Sequence, residues 1–194
     1  MSKPRILTKK QTTTLVGLLA TLAITLLVRF GLTRSVSRTA SQSQPGLYRV
    51  SQFIDGDTFA VKMNGATEKI RFIGVDTPET HDPRKAVQCF GKAASNFTQH
   101  IIGKQPIRLQ ADSLNTNRDR YNRLLRYVYL PNGTLLNAEL IKQGYGFAYT
   151  SFPFSKRVEF RRLQTEAQQS KKGLWSSCQP TKNKFGGYTS NDAH

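Results

Sequence analysis

The sequence predicts an α+β domain in which five short strands form a small β-barrel and three helices pack beside it, preceded by an N-terminal transmembrane helix. Three observations support this prediction: β-forming segments joined by tight turns, amphipathic helical patterns that follow them, and an uncharged apolar stretch near the N-terminus. Strands repeat their apolar positions with a period of two and helices with a period of about 3.6, so spacing distinguishes them. The predicted element order is βββαββαα.

The first part of the domain is predicted to be all-β. Residues 47–54 (LYRVSQFI) contain β-forming residues in partial alternation, Asp55-Gly56-Asp57 signals a tight turn, and residues 58–63 (TFAVKM) resume as a second strand. Asn64-Gly65 signals a hairpin turn before a third strand at 69–75 (KIRFIGV). Strands joined by such short turns form an antiparallel meander.

Helical and β patterns share the rest of the domain. The first predicted helix ends at Gly103, and its apolar face consists of Phe90, Ala93, Ala94, Phe97 and Ile101. Residues 107–109 and 123–130 read as two more strands, a second helix follows Gly133, and a third runs over 155–171 before Gly173. Short antiparallel strands close well into a five-stranded oligonucleotide/oligosaccharide-binding (OB) barrel, which we take as the predicted architecture.

The N-terminus carries a candidate membrane segment. Residues 12–32 follow a basic start and are apolar apart from threonines, glycines and Arg29, which can reach the interface. The uncharged run is long enough to span a bilayer. A cleaved signal peptide fits the same pattern, and a buried soluble helix is a third reading. The first two readings both export the domain: a single-pass anchor with an extracytoplasmic domain, or a secreted protein. The predicted organisation is a basic N-terminus (1–11), a transmembrane anchor or signal (12–32), a flexible linker (33–46), the domain (47–178) and a disordered tail (179–194).

Composition bears on partners. Lys plus Arg number 29 against 12 Asp plus Glu, so the formal net charge is +17 and the pI is about 10.3. Such a surface attracts polyanions, of which nucleic acid and anionic lipid are the candidates. The two cysteines are too few for a disulfide scaffold or a Cys-rich zinc site, but they suffice for one bridge in an exported domain.

Two clusters of residues could perform chemistry. The first is Asp57 with Asp76-Thr77-Pro78-Glu79, because adjacent antiparallel strands bring the start of the second strand near the end of the third. Carboxylates without nearby His or Cys favour Ca²⁺ or Mg²⁺ over zinc. The second cluster is Arg71 and Arg123, whose planar forks suit a phosphate. Taken alone, each has a structural reading as a turn residue, a helix cap or a surface charge; their joint order favours phosphoryl chemistry.

These residues also resemble a known family. The motifs Ile54-Asp55-Gly56-Asp57-Thr58, Arg71-Phe-Ile-Gly-Val-Asp76-Thr77-Pro78-Glu79-Thr80 and Asp119-Arg-Tyr121-Asn-Arg123 are similar to those of staphylococcal-type thermonucleases, in the same order and with matching spacing. The resemblance covers about residues 47–178. It implies an OB-fold endonuclease that cuts DNA and RNA with Ca²⁺, attacks the 5′ side of the phosphodiester and leaves 3′-phosphates.

The resemblance also implies roles for individual residues. Asp57, Asp76 and the Thr77 carbonyl become calcium ligands, Glu79 the general base or a positioner of water, and Arg71 and Arg123 the phosphate clamp. Tyr121 becomes a contact to the terminal phosphate and Tyr149 an aromatic that flanks the base, where stacking would tolerate any sequence. Arg84 and Lys85 resemble a basic loop near the site; a solvated charge run is an equal reading.

Two departures from the family pattern concern the site. Asn122 stands where the family usually has glycine, and Asn tolerates a left-handed backbone better than most residues. Ser151 falls where a second aromatic of the base pocket is often found, which leaves the base preference open. The sequence does not determine a preference for DNA over RNA.

The remaining expectations concern the cysteines and rival functions. Cys89 opens the first helix and Cys178 follows the last, so an exported domain would join them in an intramolecular disulfide. The chain is expected to act as a monomer. A non-catalytic OB module that binds nucleic acid is the main rival function, and a protein that binds anionic lipid is a weaker one that leaves the acidic cluster unexplained.

Overall fold

The strands and helices lie near their predicted positions, but the predicted first strand (47–54) is interrupted at Arg49 and the predicted third strand (69–75) at residues 73–74. The computed structural model describes residues 46–80, 86–184 and 187–193. The strands in this part of the chain are β1 (Leu47–Tyr48), β2 (Val50–Asp55), β3 (Thr58–Met63), β4 (Ala66–Phe72), β5 (Val75–Asp76), β6 (Ile107–Gln110), β7 (Leu124–Tyr129), β8 (Phe147–Ala148), β9 (Thr181–Lys182) and β10 (Tyr188–Thr189). The helices are α1 (Gly91–Ile102), α2 (Leu136–Lys142), α3 (Arg157–Gln169) and α4 (Leu174–Ser177).

The main sheet has the strand order β1-β6-β7-β4-β3-β2. Its first and last strands are consecutive in the chain, separated by Arg49 alone: β1 pairs with β6, and β2 pairs with β3. The sheet therefore curls until one stretch of chain serves both ends, and the predicted α+β fold with a barrel-like sheet is confirmed. The pairing of β4 with β7 is parallel rather than antiparallel, because the chain returns through α1 and β6 before β7 begins.

Apolar side chains of the sheet and the helices form one core. Phe59 and Phe72 meet edge to face at 5.3 Å between ring centroids, and Phe154 packs against Phe160 of α3 at 5.5 Å. The predicted inward face of α3 is confirmed, since Phe160, Leu163 and Ala167 are buried. Removing the apolar surface of each such large side chain from water stabilises the fold by roughly 1.5–3 kcal/mol.

The C-terminal tail differs from its prediction. Residues 179–194 were expected to be disordered, but the described part of the tail contains the antiparallel pair β9–β10. Tyr188 stacks on Phe147 at 6.1 Å and meets Trp175 edge to face at 5.1 Å. The expectation was wrong because it rested on local polarity, whereas this segment is held by aromatic residues elsewhere in the chain.

The predicted membrane segment lies outside the described residues. The basic N-terminus (1–11), the segment 12–32 and nearly all of the linker 33–46 belong to the part of the chain that the structure does not describe. Among the described residues, no helix has both the length and the apolar character needed to cross a bilayer.

Asp112 connects the barrel to the loop before α3. One carboxylate oxygen accepts hydrogen bonds from Tyr127 Oη (2.6 Å), Ser155 N (2.7 Å) and Ser155 Oγ (2.6 Å), and the other accepts one from Leu114 N (2.8 Å). Burial acts to raise the pKa of Asp112, but the bonds from Ser155 and Tyr127 outweigh it and hold that pKa below its usual value. The ionised form is therefore favoured in the folded state.

We predict that Asp112→Asn lowers the free energy of unfolding by about 1–3 kcal/mol at pH 7, because an amide cannot accept all of these hydrogen bonds. Since the folded pKa of Asp112 is depressed, its contribution is complete above the unfolded pKa of about 3.9 and is lost as the pH falls through the folded pKa. Urea unfolding at pH 7 and pH 3 measures both effects. Glu166→Gln, at an exposed position on α3, is the control and should change little.

Candidate active site

The turn between β2 and β3 meets the end of β4 through Asp57. Thr58 pairs with Arg71 in the β3–β4 ladder, which places Asp57 beside the last residues of β4. One carboxylate oxygen of Asp57 accepts a bond from Thr58 Oγ1 (2.9 Å), and the other accepts one from Thr77 N (2.9 Å). The structure therefore brings together the two carboxylate segments that the sequence placed at one sheet edge.

Arg71 lies between the two carboxylates that were predicted as metal ligands. Its Nη1 is 2.7 Å from Asp57 Oδ2, and its Nη2 is 2.7 Å from Asp76 Oδ1. Nη1 also donates a hydrogen bond to the Val75 carbonyl at 2.6 Å. The Arg71 side chain is only 12% exposed, so these partners, more than water, stabilise its positive charge. Burial by itself would lower the pKa of Arg71, but Asp57 and Asp76 more than offset it and raise that pKa.

Gly56 lets α1 support the turn closely. Thr98 Oγ1 of α1 donates a hydrogen bond to the Gly56 carbonyl at 2.6 Å. A Cβ atom at position 56 would lie 2.9 Å from Thr77 Oγ1 and 3.0 Å from the Cβ of Ala94, which is too close for either contact to stay in place. Glycine is therefore required between α1 and Thr77. The Thr77 hydroxyl itself is buried and has no hydrogen-bond partner among the described residues.

Glu79 follows in the segment after β5 and is held by Gln88. Glu79 N donates to Gln88 Oε1 at 2.8 Å, and Gln88 N donates to the Glu79 carbonyl at 2.9 Å. The Glu79 side chain hydrogen-bonds the carboxyl group of Asp55. Asp55 also accepts a bond from Thr80 Oγ1 at 3.0 Å, which ties this segment to the β2–β3 turn.

The carboxylates of the site repel one another. Burial, the hydrogen bond with Glu79 and the nearby charge of Asp57 raise the pKa of Asp55 to about 7. Loss of surrounding water, together with the charges of Asp57 and Glu79, raises the pKa of Asp76 to about 6 even though Arg71 acts to lower it. Arg71 thus only partly compensates the negative charge, and an additional cation would lower the energy of the ionised carboxylates.

The donor atoms of this edge fit a hard divalent cation. Asp57 and Asp76 offer carboxylate oxygens and Thr77 offers a backbone carbonyl, while no group of three His, Cys, Asp or Glu side chains arranged to hold a metal occurs in the part of the chain described. Such a site needs water to complete its coordination shell, which Ca²⁺ and Mg²⁺ accept and which structural zinc does not. The residues present therefore fit a hard divalent cation of this kind.

Arg123 is presented by a loop that Asp119 organises. One Asp119 oxygen accepts bonds from Tyr121 N (3.0 Å) and Arg123 N (2.9 Å), and the other accepts one from Arg123 Nε (2.7 Å). Asn122 has φ of +63°, so the left-handed backbone anticipated at this departure from glycine is present. Because Asp119 binds Nε, the two Nη atoms at the end of the guanidinium face away from this carboxylate, which is the end that suits a phosphate.

The two arginines approach each other through the parallel pairing of β4 and β7. Arg71 stands opposite Leu125, and Arg123 lies just before the first residue of β7. The charge of Asp119 also contributes to the raised pKa of Arg71, which places the Asp119 loop near the carboxylate edge. Both arginines are therefore fixed by carboxylates beside the same edge of the barrel.

Aromatic side chains lie on the surface around this edge. Tyr121 is 63% exposed, and the guanidinium carbons of Arg120 and Arg123 lie 4.8 and 5.4 Å from its ring centroid. Tyr149 N donates to the Gly74 carbonyl at 2.9 Å, next to β5. The ring of Phe152, 57% exposed, lies 5.8 Å from that of Tyr149. An aromatic pair therefore exists here, although Ser151 is not part of it.

The other predicted site residues have separate outcomes. Arg84 and Lys85 lie outside the described residues, so their proposed contact with substrate stays a prediction. Cys89 and Cys178 are joined by a disulfide with 6.0 Å between their Cα atoms. It connects the residues before α1 to the residue after α4.

Sequence reasoning assigned no role to Asp55, Gln88 or Asp119. Asp55 and Asp119 were part of the recognised motifs, and their positions two and four residues from working side chains were a usable signal for hydrogen bonds to the backbone. Gln88 had no such signal, because its partner Glu79 is reached only after the chain has looped back.

Comparison with known proteins places this site in a family. The family model described as Staphylococcal nuclease homologue matches residues 69–177. The chain is 37% identical over 174 residues to a thermonuclease of Staphylococcus hyicus, covering 87% of this chain and 99% of that protein. It is 41% identical over 129 residues to a thermonuclease of Staphylococcus intermedius (66% of this chain, 75% of that protein). It is 36% identical over 140 residues to endonuclease YncB of Bacillus subtilis (70% of this chain, 65% of that protein). The chain therefore belongs to the staphylococcal nuclease family of phosphodiester-hydrolysing enzymes.

Proposed function

We propose that this protein is a monomeric, Ca²⁺-dependent endonuclease that hydrolyses DNA and RNA and leaves 3′-phosphates. The observation that carries the proposal is the position of Arg71 between Asp57 and Asp76, with Glu79 in the same acidic cluster. This edge combines oxygen donors for a hard cation, a guanidinium for a phosphate and a carboxylate for a proton. The net charge of +17 would draw a polyanionic substrate toward it.

Asp57, Asp76 and the Thr77 carbonyl would hold the calcium ion. When bound, the ion would neutralise charge on the phosphate and lower the pKa of a water molecule. Arg71 now pairs with both carboxylates, and it can exchange them for a phosphate oxygen once their charge is satisfied in another way. Arg123 would bind the same phosphate through its Nη atoms, since Asp119 already holds its Nε.

Glu79 would act as the general base. A water molecule gives one proton to Glu79 while its oxygen bonds to phosphorus, and the bond from phosphorus to the 5′ oxygen breaks. The departing oxygen takes up a proton from solvent, which leaves a 5′-hydroxyl and a 3′-phosphate. Arg71 and Arg123 stabilise the charge that develops on the phosphoryl oxygens, and fixed partners keep both arginines preorganised for this task.

Tyr121 and Tyr149 would contact the nucleotide. The exposed Tyr121 ring, flanked by Arg120 and Arg123, suits a contact at the terminal phosphate. Tyr149 and Phe152 present neighbouring aromatic faces, and stacking of a base on such faces does not depend on its identity. Arg84 and Lys85 would add charge for the substrate backbone.

The first prediction from the proposed function concerns the metal. DNA digestion by the full-length protein should require Ca²⁺ and stop when EGTA is added, because the ion held by Asp57, Asp76 and the Thr77 carbonyl would lower the pKa of the attacking water and neutralise charge on the phosphate. Fluorescent single-stranded and duplex substrates measure the rate, and sensitivity of the products to a 3′-phosphatase identifies the 3′-phosphate. Digestion that continues in EGTA would contradict the calcium mechanism, and binding without cutting in Ca²⁺ would favour the binding-module alternative.

The second prediction concerns the two side chains nearest the chemistry. Glu79→Gln should lower kcat by about 10²–10⁴-fold through loss of the general base. Arg123→Ala should lower kcat by about 10²–10³-fold through loss of charge stabilisation. Steady-state kinetics with saturating Ca²⁺ measures both rates. The matched controls are Glu166→Gln and Arg162→Ala, an exposed ion pair on α3 that should leave kcat unchanged. Wild-type rates for both site variants would refute the assigned roles.

The third prediction concerns location. The apolar segment 12–32 and the basic residues before it are the reason to propose an exported nuclease domain, either anchored in the cell membrane or secreted after cleavage. Fractionation followed by N-terminal sequencing should recover intact chain in the membrane fraction. Mature protein that starts beyond about residue 40 would show that the segment is a cleaved signal peptide and not an anchor. Recovery in the cytosol would contradict export.

A further inference from the structure

The tail beyond α4 lies against the segment that precedes α1. Residues 187–193, here called the C-terminal strap, pair with residues 87–89, and Gln88 and Asp192 form an antiparallel bridge. Hydrogen bonds that involve the backbone join the two segments: Cys89 N donates to the Asn191 carbonyl (2.7 Å), Ala193 N to the Val87 carbonyl (2.8 Å) and Ser190 Oγ to the Cys89 carbonyl (2.9 Å). Ser190 is buried in this contact.

Gln88 links the strap to Glu79. Its side-chain oxygen accepts the hydrogen bond from Glu79 N at 2.8 Å, and its side-chain nitrogen is 3.4 Å from Thr189 Oγ1 in the strap. Its backbone N donates to the Glu79 carbonyl at 2.9 Å. Gln88 therefore holds the backbone of Glu79 on both sides while the strap holds Gln88.

The strap also supports the other side of the acidic cluster. Tyr188 stacks on Phe147, and Phe147 stands opposite Asp76 in the β5–β8 pair. Trp175 completes this aromatic group at 5.4 Å from Phe147. The strap thus contacts Phe147, which pairs with Asp76, and Gln88, which hydrogen-bonds the backbone of Glu79.

The disulfide closes this arrangement. It ties Cys89, next to Gln88, to Cys178, and Gln179 N then donates to Asn191 Oδ1 in the strap at 2.9 Å. Phe90, directly after Cys89, has φ of +69°, a left-handed conformation that a bulky residue rarely adopts. Such a conformation persists only where surrounding contacts impose it, and here the disulfide and the strap lie on its N-terminal side.

We infer that Gln88 is a positioning residue for Glu79, that the C-terminal strap and the Cys89–Cys178 disulfide hold Gln88 in place, and that full nuclease activity therefore requires the oxidised protein. The inference rests on the role of Glu79 proposed above. It assigns the tail a part in catalysis through the geometry of the base, without contact between the tail and the substrate.

A double-mutant cycle in the full-length protein tests the positioning role. Gln88→Met removes the acceptor of the Glu79 amide and should lower kcat about tenfold with KM for DNA unchanged, since a small displacement of a catalytic group costs one to two orders of magnitude. Gln88→Glu, which restores an acceptor for Glu79 N and for the Thr189 hydroxyl, should recover most of the rate. In a Glu79→Gln background, Gln88→Met should cause no further loss.

Several results of this cycle would overturn the inference. They are an unchanged kcat in Gln88→Met, failure of Gln88→Glu to recover activity, and losses that multiply fully with Glu79→Gln. Lys182→Ala, at an exposed position of β9, is the control and should behave as wild type. A wild-type rate for Glu79→Gln would instead contradict the proposed mechanism. Hydrogen exchange at the Glu79 amide, which should accelerate in Gln88→Met, would still report whether Gln88 holds that backbone.

Reduction tests the contribution of the disulfide. A dithiol transfers two electrons and two protons to the Cys89–Cys178 bond, giving two thiols while the dithiol closes to a cyclic disulfide. Reduction of the wild-type protein should lower kcat and accelerate exchange at the Glu79 amide to about the extent seen in Gln88→Met. The double variant Cys89→Ser, Cys178→Ser should have that lower kcat both with and without the dithiol. Equal kcat in oxidised and reduced wild-type protein would overturn the dependence on oxidation.

Discussion

The placement of Arg71 between Asp57 and Asp76 is the interaction on which the rest of the site depends. Four carboxyl groups gather at one edge of the barrel, those of Asp55, Asp57, Asp76 and Glu79, and their close approach is unfavourable unless cations and donors compensate. Arg71 supplies a buried cation with two ion pairs of 2.7 Å, and Thr77 N supplies a donor. Burial and the neighbouring carboxylates raise the pKa values of Asp55 and Asp76 despite Arg71, and a bound cation would favour the ionised forms.

The fold provides the geometry for this cluster with short elements. Glycine at position 56 allows α1 to hold the β2–β3 turn from below, and the pairing of Thr58 with Arg71 sets the distance from that turn to β4. The β5–β8 pair fixes Asp76, and the parallel pairing of β4 with β7 brings the Arg123 loop alongside. The backbone next to each site residue is therefore fixed by hydrogen bonds of the fold. A fixed backbone is the condition for preorganised electrostatic stabilisation.

The two arginines are prepared in different ways. Arg71 is buried and paired with the carboxylates that would bind the metal, so in the proposed mechanism its availability to a phosphate would depend on metal binding. Arg123 is more exposed and is held by Asp119 through Nε and through the backbone of the loop. An enzyme built in this way would bind the phosphate weakly through Arg71 before the metal arrives and strongly afterwards. Glu79 is positioned in a third way, because the C-terminal strap, far along the chain, holds Gln88 and Gln88 binds the backbone of Glu79.

The sequence by itself determined the local elements and the identity of the chemical groups. The Asp-Gly-Asp and Asn-Gly turns, the inward face of α3 and the end of α1 at Gly103 all follow from short-range spacing and backbone preference, which act within a few residues. The motif residues Asp57, Arg71, Asp76 and Arg123 could be selected as candidates from their joint order along the chain and from the resemblance of their motifs to a known family. Tertiary structure alone decided the parallel β4–β7 pairing, the β9–β10 pair of the tail and the hydrogen bonds between Gln88 and the backbone of Glu79. These features depend on contacts between residues far apart in the chain, such as Tyr188 with Phe147, and no local pattern encodes the energy of such contacts.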